Sequence, residues 1–367
     1  MPIVFDTRTA TDHFPGIGRY VSNLTRALAS LIPVDGFKLL CAPVAVTRLM
    51  LPDVPQIVCG ASPFSLRQQW QVPVLLRQAG AQLYHSPYYL MPYATGVPTI
   101  VTCHDLIPLL YPQYFRPEQR LLFWLAHKLV LTLSQAVLAD SHVTKADLIG
   151  RFDLRPEKIF VTPLAADPHF APRSPSEIDR VRRRYNLPTH YGLYLGSNKP
   201  HKNLIRLVEA WSQVSRHAAR IPLVIAGPWD TRFPQAKERV TALGLENSTL
   251  FLGPIPEQDL PALYSGAEWF IFASLYEGFG LPVLEAMACG APVACANASS
   301  LPEVTGDAAL LFDPLDVDSI ADGLTRLLED SHLRASLRLR GLAQAQRFSW
   351  ERAARETVEV YRAASQG

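Results

Sequence analysis

Two glutamates and three glycines lie close together in residues 277–290, which read EGFGLPVLEAMACG. A carboxylate accepts paired hydrogen bonds from vicinal hydroxyls, so Glu277 and Glu285 could each hold a sugar-like group. Glycines before a helix let backbone N–H groups come close to a ligand, and a helix N-terminus favours negative charge. Residues of these types at this spacing suit a ligand that carries both hydroxyls and a diphosphate.

Pro282 and Gly290 set the limits of a helix within this run. Proline suits the first helical turn and glycine suits the position just past the last one, so we expect a short helix over about residues 282–289. The residue types alone also allow a plainer arrangement, in which Glu277 caps the helix and Glu285 faces solvent.

A second candidate anion site is residues 196–203, which read GSNKPHKN and follow the predicted strand 191–195. They open the next helix, where backbone amides bind anions, and Lys202 would add a positive charge. A solvated lysine beside a helix cap is the alternative.

The first half of the chain also carries residues that could do chemistry. His104 and Asp105 follow the predicted strand 99–103. A lone histidine after a strand is usually structural, and Asp105 suits the cap of a loop. Residues 14–20, FPGIGRY, are predicted to form a loop before the first helix, and they lack the third glycine of a dinucleotide-binding fingerprint.

Short apolar runs alternate with longer segments of helical period, which predicts doubly wound α/β architecture. The predicted strands are residues 1–6, 99–103, 136–140, 159–162, 191–195, 223–226, 269–273 and 292–296. Helical spacing of apolar residues follows two of these strands, at Val21, Leu24, Leu28 and Leu31 and at Leu204, Leu207, Val208, Trp211 and Val214.

A chain of 367 residues exceeds what one hydrophobic core usually supports. The proline- and serine-rich residues 171–177 predict a linker, with one Rossmann-like domain over residues 1–170 and another over 171–348. Residues 349–367 are predicted to form a terminal helix that crosses back to the first domain. Ligands of open α/β sheets bind outside the carboxyl ends of the strands, so we expect the two domains to face each other across a cleft.

Charge and cysteine content narrow the classes of function. A net charge of +2 does not by itself imply a nucleic-acid partner. The five cysteines lack the paired spacing of a zinc site or a disulfide framework, which favours a reducing compartment. The N-terminus has no basic leader, and polar residues interrupt the apolar segment 121–138. We therefore expect a cytoplasmic protein.

Residues 115–133 combine cations with leucines and aromatic side chains, including Arg116, Arg120 and Lys128. This composition predicts either a helix that lies on an anionic membrane surface at the inner face of the membrane or a packed core helix with a few exposed cations.

Asp316 and Asp318 match the Asp-x-Asp pattern that holds a divalent metal ion in some enzymes. They precede an amphipathic segment, so we interpret them as the start of a helix, where acids are favoured by the helix dipole. We expect neither a metal ion nor another cofactor.

The run at 277–290 resembles the signature of the retaining GT-B glycosyltransferases, the group 1 family that includes sucrose synthases and bacterial mannosyltransferases. Residues 196–203 resemble that family's phosphate loop, although Ser197 and His201 replace the commoner threonine and arginine. Residues 104–106 and 16–20 resemble its His-Asp-Leu and Gly-Ile-Gly-Arg-Tyr motifs. Weaker similarity occurs at residues 86–88, 227–228, 253–255 and 297–303.

The resemblance implies a GT-B fold, with an acceptor-side N-terminal domain and a C-terminal domain that binds the nucleotide sugar. It implies that Lys202 contacts the donor phosphates, that Glu277 holds sugar hydroxyls, that Glu285 holds the ribose and that His104 contacts the sugar or the acceptor. The remaining donor contacts implied are Gly16, Gly18, Ser197, Gly227, Ile255, Gly278, Phe279, Gly280 and Leu281.

The activity implied is transfer of a hexosyl unit to an acceptor hydroxyl with retained anomeric configuration and without a metal ion. GDP-mannose is the favoured donor, and a saccharide or lipid-linked saccharide of surface polysaccharide is the expected acceptor. A sugar-nucleotide epimerase or hydrolase of the same fold and a noncatalytic nucleotide-sugar-binding protein are the alternatives. The incomplete glycine fingerprint argues against an unrelated dehydrogenase.

Overall fold

The computed structural model describes residues 2–11, 15–43, 51, 53–215 and 221–366. The chain divides into two compact units, one formed by Met1–Leu164 with Ser349–Gly367 and the other by Ala165–Phe348. The change of unit after Leu164 lies shortly before the boundary that the sequence suggested at residue 170. Each unit contains a parallel sheet covered by helices.

The first unit has a seven-stranded sheet whose strand order is β3-β2-β1-β4-β5-β6-β7. Its strands are β1 (Ile3–Asp6), β2 (Phe37–Cys41), β3 (Gln56–Val58), β4 (Leu83–Ser86), β5 (Thr99–Cys103), β6 (Ala136–Ala139) and β7 (Ile159–Val161). Its helices before residue 165 are α1 (Pro15–Leu31), α2 (Gln68–Gln78), α3 (Ile107–Leu110), α4 (Pro117–Leu133) and α5 (His142–Phe152).

The second unit has a six-stranded parallel sheet, with helices α6 (Pro175–Arg184), α7 (Leu204–Val214), α8 (Gln235–Ala242), α9 (Leu260–Ser265), α10 (Leu281–Ala288), α11 (Leu301–Thr305), α12 (Val317–Glu329) and α13 (Ser331–Ala345). Its strands are β8 (Gly192–Leu195), β9 (Leu223–Ala226), β10 (Thr249–Gly253), β11 (Trp269–Phe272), β12 (Val293–Ala296) and β13 (Ala309–Phe312), in the order β10-β9-β8-β11-β12-β13. The last helix, α14 (Trp350–Gln366), belongs to the first unit and packs against α1.

The helix patterns read from the sequence correspond to buried faces. All five apolar positions predicted for α7 are buried. In α1, Val21, Leu24 and Leu28 are buried, whereas Leu31 at the end of the helix is 42% exposed. Burial of strands on both faces explains their continuous apolar runs, because helices cover both sides of a parallel sheet.

Part of the predicted linker is helical. Ser174 caps α6 and accepts a hydrogen bond from the amide of Glu177, whose side chain bonds back to the Ser174 amide. Pro175 occupies the first turn of this helix, where its missing N–H costs nothing. Residues 175–177 therefore begin a helix instead of forming a flexible connection.

In each sheet, the strand order reverses at one point. This point lies between β1 and β4 in the first unit and between β8 and β11 in the second. Loops that leave the carboxyl ends of two such strands diverge to opposite faces of the sheet and leave a crevice where ligands bind. The sequence motifs at residues 196–203 and 277–280 follow β8 and β11, so the strand order brings them to one crevice.

In the part of the chain that the structure describes, no helix combines the length and the apolar character that are needed to cross a bilayer.

Candidate active site

Lys202 and Glu277 meet at the crevice of the second unit. The ammonium Nζ of Lys202 lies 2.5 Å from Oε1 of Glu277. Both side chains are mostly buried, with 16% and 11% of their surfaces exposed. The Lys202 ammonium also lies 5.3 Å from the centre of the Phe272 ring at the end of β11. The two charges that the sequence predicted for different parts of one ligand thus form an ion pair with each other.

Two serines fix the backbone around Glu277. The Glu277 amide donates to the hydroxyl of Ser299, and the Ser300 hydroxyl lies within hydrogen-bond distance of the carbonyls of Glu277 and Phe279. These serines follow β12, the strand beside β11. The loop that carries the carboxylate is therefore held by the neighbouring loop, as a pre-organised site requires.

Lys202 ends a single 3-10 turn, Pro200–Lys202. The carbonyl of His201 accepts a hydrogen bond from the Leu275 amide, which ties this turn to the loop after β11. His201 is buried, and burial together with the nearby lysines lowers its pKa to about 2. It is therefore neutral and does not supply the second positive charge that an arginine would give at this position.

Gly280 caps α10, as the motif predicted, and the helix runs from Leu281 to Ala288. The backbone of Gly280 has φ +110°, and a Cβ atom there would lie 2.6 Å from the side chain of Leu301. Only glycine fits both restrictions without strain. Gly278 lies in the same loop, and the buried Phe279 packs edge-on against Phe348. Any ligand contact of Phe279 would therefore come from its backbone.

The other predicted donor contacts follow β8, β9 and β10 of the same sheet. Gly227 follows β9 with φ +125°, and a Cβ atom there would lie 2.2 Å from the carbonyl oxygen of Gly196. Its amide donates to Gly253, which brings the ends of β9 and β10 together. Ser197 is half-buried and its carbonyl accepts from Tyr194. Ile255 packs partly buried against the core.

Glu285 occupies a different environment from Glu277. Its side chain lies within α10, is fully buried and accepts a hydrogen bond from the Tyr264 hydroxyl over 3.1 Å. The solvent-facing alternative for Glu285 is therefore wrong. A direct bond from this carboxylate to a ribose would require neighbouring side chains to move.

Asp316 is confirmed as a helix cap, since its side chain accepts from the Asp318 amide at the start of α12. Among the described residues, no group of three histidine, cysteine, aspartate or glutamate side chains is placed to hold a metal ion. Metal-independent activity stays a prediction.

The first unit places His104 in a polar setting at the end of β5. Its Nδ1 lies 2.7 Å from Oδ2 of Asp140, and its Nε2 lies 3.1 Å from the carbonyl oxygen of Pro87. Both acceptors favour a ring nitrogen that carries a proton, so the geometry suits the doubly protonated imidazolium. The adjacent Asp105 accepts from the Ile107 amide at the start of α3, which confirms its predicted capping role.

Burial and charge act in opposite directions on this pair. Burial by itself lowers the pKa of His104, but the Asp140 carboxylate, together with Asp105 and the Pro87 carbonyl, outweighs burial and the pKa is raised. Burial raises the pKa of Asp140, and the neighbouring histidine only partly offsets this. Both pKa shifts have the same consequence: the His104–Asp140 pair keeps its proton to a higher pH than a free histidine would.

A buried chain of hydrogen bonds leads from α14 towards His104. The Tyr361 hydroxyl lies 2.7 Å from Nδ1 of His85, whose Nε2 lies 2.8 Å from the Thr102 hydroxyl. Thr102 in turn lies 2.8 Å from the Tyr20 hydroxyl. The Tyr20 ring packs edge-on against the His104 ring, with ring centres 4.8 Å apart. Burial lowers the pKa of His85 to about 3, so this second histidine is neutral.

Gly16 and Gly18 lie inside the first turns of α1, because the helix begins at Pro15. The predicted loop over residues 14–20 is therefore wrong for residues 15–20, and Phe14 lies outside the described residues. A Cβ atom at Gly18 would lie 3.0 Å from the carbonyl oxygen of Thr11, so the helix approaches the preceding segment closely there. Gly16 is exposed at the helix start.

Asp140 is the main site residue that sequence reasoning missed. It directly follows β6, which pairs with β5 in parallel, so the ends of the two strands and their polar residues lie side by side. The available signal was that His104 follows the predicted strand 99–103 and that the next predicted strand, 136–140, ends at Asp140.

Two doubly wound parallel sheets, the second with a glycine-bearing loop and an ion pair at its strand-order reversal, are typical of α/β enzymes that bind nucleotide-like ligands. Residues 177–343 match the family described as glycosyl transferases group 1, and residues 15–170 match glycosyltransferase family 4. The chain is 34% identical to the O-antigen chain mannosyltransferase B of Escherichia coli, over 99% of this chain and the full length of that protein. The chain belongs to this glycosyltransferase family.

Solved structures of other proteins share the architecture of this chain. The Anabaena protein HepE, solved in complex with UDP-glucose, aligns with a TM-score of 0.78 and 21% identity over 99% of this chain and 100% of HepE. Sucrose-phosphate synthase from Thermosynechococcus elongatus aligns with a TM-score of 0.77 and 23% identity over 99% of this chain and 98% of its own. The predicted GT-B fold is confirmed, and the protein is a glycosyltransferase.

Proposed function

We propose that the protein transfers mannose from GDP-mannose to an acceptor hydroxyl with retention of the anomeric configuration and without a metal ion. The acceptor is a saccharide or lipid-linked saccharide of a surface polysaccharide or glycolipid. The observation that supports this proposal best is the Lys202–Glu277 ion pair at the strand-order reversal of the second unit.

The ion pair combines the two chemistries that a nucleotide-sugar donor needs. The Lys202 ammonium can turn from Glu277 to the diphosphate, whose negative charge it would neutralise. The freed carboxylate can then accept hydrogen bonds from sugar hydroxyls. The start of α10, which follows Gly280, adds backbone N–H groups that favour an anion.

The proposed reaction proceeds on one face of the sugar. The bond between the anomeric carbon and the diphosphate oxygen breaks, while the acceptor oxygen bonds to the same face of that carbon. The acceptor proton passes to the departing diphosphate, so no enzymic nucleophile is needed. Lys202 and the amides near Gly280 and Leu281 stabilise the charge that develops on the leaving group. His104 positions the sugar or the acceptor through its ring or its backbone.

The choice of mannose and of a polysaccharide acceptor is supported by the name of the full-length relative, an O-antigen chain mannosyltransferase. A lipid-linked acceptor would be presented at a membrane surface. The enzyme is accordingly proposed to work as a peripheral protein at the inner face of the membrane.

A direct test offers GDP-mannose, GDP-glucose and UDP-glucose separately with a mannose-terminated oligosaccharide and follows release of the nucleoside diphosphate. NMR of the product then gives the anomeric configuration. We expect GDP-mannose to be used best, an α-linked product, and unchanged turnover in EDTA. The Lys202→Met variant should lose activity, whereas Arg326→Met, which changes an exposed cation of the same unit, should keep it.

The same assay separates the other functions of this fold. Fast release of nucleoside diphosphate without acceptor would indicate a hydrolase, and conversion of the donor to an isomeric sugar nucleotide would indicate an epimerase. Binding of GDP-mannose without turnover on any acceptor would indicate a noncatalytic protein. An inverted product would refute the retaining mechanism.

A further inference from the structure

The helix α4 presents a row of leucines to solvent. These side chains are 42% to 68% exposed, and they are Leu121, Leu122, Leu125, Leu129 and Leu133. The opposite side of the helix is buried, at Ala126, His127, Val130 and Leu131. Isolated exposed leucines are ordinary, but five on one helix face form a continuous apolar stripe.

A second exposed apolar group lies at the start of α2 and in the turn before it. Its members are 50% to 78% exposed, and they are Phe64, Leu66, Trp70 and Val74. Leu66, Trp70 and Val74 are spaced four residues apart, which places them on one side of the helical turns.

The two groups are joined by a row of aromatic contacts. The ring of Phe64 lies 6.1 Å from Tyr88, and the adjacent Tyr89 lies 5.0 Å from Phe123 of α4. Tyr88 and Tyr89 themselves lie 4.4 Å apart. A row of aromatic side chains in the first unit therefore connects the two exposed groups. We call the five leucines of α4, the group Phe64, Leu66, Trp70 and Val74, and these aromatic side chains together the apolar face.

Positive charge predominates in the two segments that carry the exposed apolar side chains. The segments 64–78 and 115–133 contain five cationic residues, Arg67, Arg77, Arg116, Arg120 and Lys128, against the single acid Glu118. The exposed Lys128 places its ammonium 4.8 Å from the centre of the Trp124 ring, within the range of a cation–π contact. Apolar side chains within a cationic border are suited to the headgroup region of an anionic bilayer.

We propose that this face docks the protein on an anionic membrane. A second copy of the chain fits it less well, because a symmetric interface would set the same face against itself and bring like cations together. The leucines and Trp70 would enter the boundary between headgroups and acyl chains, and the cations would contact lipid phosphates. This surface deepens the proposed peripheral location, but it rests on exposed side chains of the first unit and not on donor chemistry.

The test uses the full chain and vesicles, without donor or acceptor. One set of vesicles contains phosphatidylcholine alone, and the other contains phosphatidylcholine and phosphatidylglycerol at about two to one. We expect sedimentation with the anionic set, at low salt most strongly. The variant Leu122→Glu/Leu125→Glu/Leu129→Glu should lower the partition coefficient by about tenfold or more. All three positions are exposed, so the variant should still fold, which circular dichroism checks.

A matched control places glutamate at Leu315 and Leu339, two leucines of the second unit that are similarly exposed. This control should bind vesicles like the wild type. Equal binding by the three-leucine variant, or no binding of the wild type at low salt, would overturn the proposal. A concentration-dependent dimer that the same three substitutions abolish, without vesicle binding, would assign the face to a second copy instead. Because no sugar is transferred in this assay, its failure is separate from failure of the proposed activity.

Discussion

The ammonium of Lys202 and the carboxylate of Glu277 lie 2.5 Å apart, although 75 positions separate them in the chain. They lie in the segments that follow β8 and β11, and the order of the second sheet reverses between these two strands. The pair neutralises two charges that would otherwise be unbalanced in a mostly buried crevice. If the donor binds as proposed, it separates the two charges, and until then the ion pair gives each group a partner.

If Lys202 and Glu277 exchange each other for different parts of the donor, substitutions of the two residues should affect GDP binding unequally. Lys202→Met removes the cation that we propose binds the diphosphate, and it leaves the Glu277 carboxylate to repel that diphosphate. We expect its affinity for GDP to fall at least about tenfold. Glu277→Gln keeps the shape but removes the negative charge, so its GDP affinity should stay within about threefold. Its turnover should fall about a hundredfold, because the proposed role of the carboxylate is to hold the sugar. Calorimetry with GDP and initial rates with donor sugar measure the two effects.

Arg326→Met serves as the control for lost positive charge, since this arginine is exposed on α12. Arg326→Met should change neither the affinity for GDP nor the turnover. If Lys202→Met and Glu277→Gln weakened GDP binding equally, the division of roles between phosphate and sugar would be refuted.

Glu285 is expected to affect both stability and donor binding. Replacing it with alanine removes a buried carboxylate and leaves the Tyr264 hydroxyl without this acceptor. A loss of about 1–3 kcal/mol in the free energy of unfolding follows. Tyr264→Phe breaks the same hydrogen bond while it keeps the carboxylate. If Glu285 also holds the ribose, Glu285→Ala should weaken GDP binding more than Tyr264→Phe does. Equal GDP affinities in the two variants would leave Glu285 a structural role only.

The parts of this site that lie in continuous sequence motifs were predictable from the sequence. The helix at 281–288, its glycine cap and the neighbouring lysine loop all follow from local residue types, because caps and turns depend on nearby residues. The Lys202–Glu277 contact depends on strand order instead. β8 pairs with β9, the next strand in sequence, and also with β11, and sequence patterns do not reveal that second neighbour.

Burial was the property that the sequence conveyed least. Glu285 and His201 are charged or polar by type and yet lie inside, because tertiary contacts satisfy or neutralise them. Gly18 lies within a helix although glycine favours loops, and close approach to Thr11 explains its presence. In each case the deciding contact comes from the tertiary arrangement and not from the residue's own type.

Gly280 should not tolerate a side chain. At φ +110° an L-residue is strained, and its Cβ would meet Leu301 at 2.6 Å. Gly280→Ala is expected to lower the free energy of unfolding by about 1–3 kcal/mol and to weaken GDP binding. Gly150 is the matched control, because it lies in α5 with open space at its Cβ position. Gly150→Ala should raise stability by about 0.5–1 kcal/mol. Thermal and urea unfolding measure both, and a neutral Gly280→Ala would contradict the strain argument.

The His104–Asp140 pair predicts a pH dependence of stability. The raised pKa of His104 means that the folded protein binds its proton more tightly than the unfolded chain does. The resulting stabilisation is complete below the unfolded pKa, about 6.5, and is lost as pH rises through the higher folded value. The double variant His104→Gln/Asp140→Asn keeps a hydrogen-bonded pair without a titrating group. The difference in free energy of unfolding between wild type and this variant should therefore decrease from about pH 6.5 upward.

The pH dependence of activity tests the His104–Asp140 pair independently of stability. In the proposed mechanism Asp140 is a positioning residue that acts through His104. Asp140→Asn removes the nearest of the charges that raise the pKa of His104, so this pKa should fall. A limb of the pH profile of kcat/KM that belongs to protonated His104 should then move to lower pH. A merely structural role would lower activity at every pH without moving the limb. Because Tyr20 packs on the His104 ring, Tyr20→Phe should keep the limb in place: it preserves the ring contact and removes only the hydroxyl bonded to Thr102.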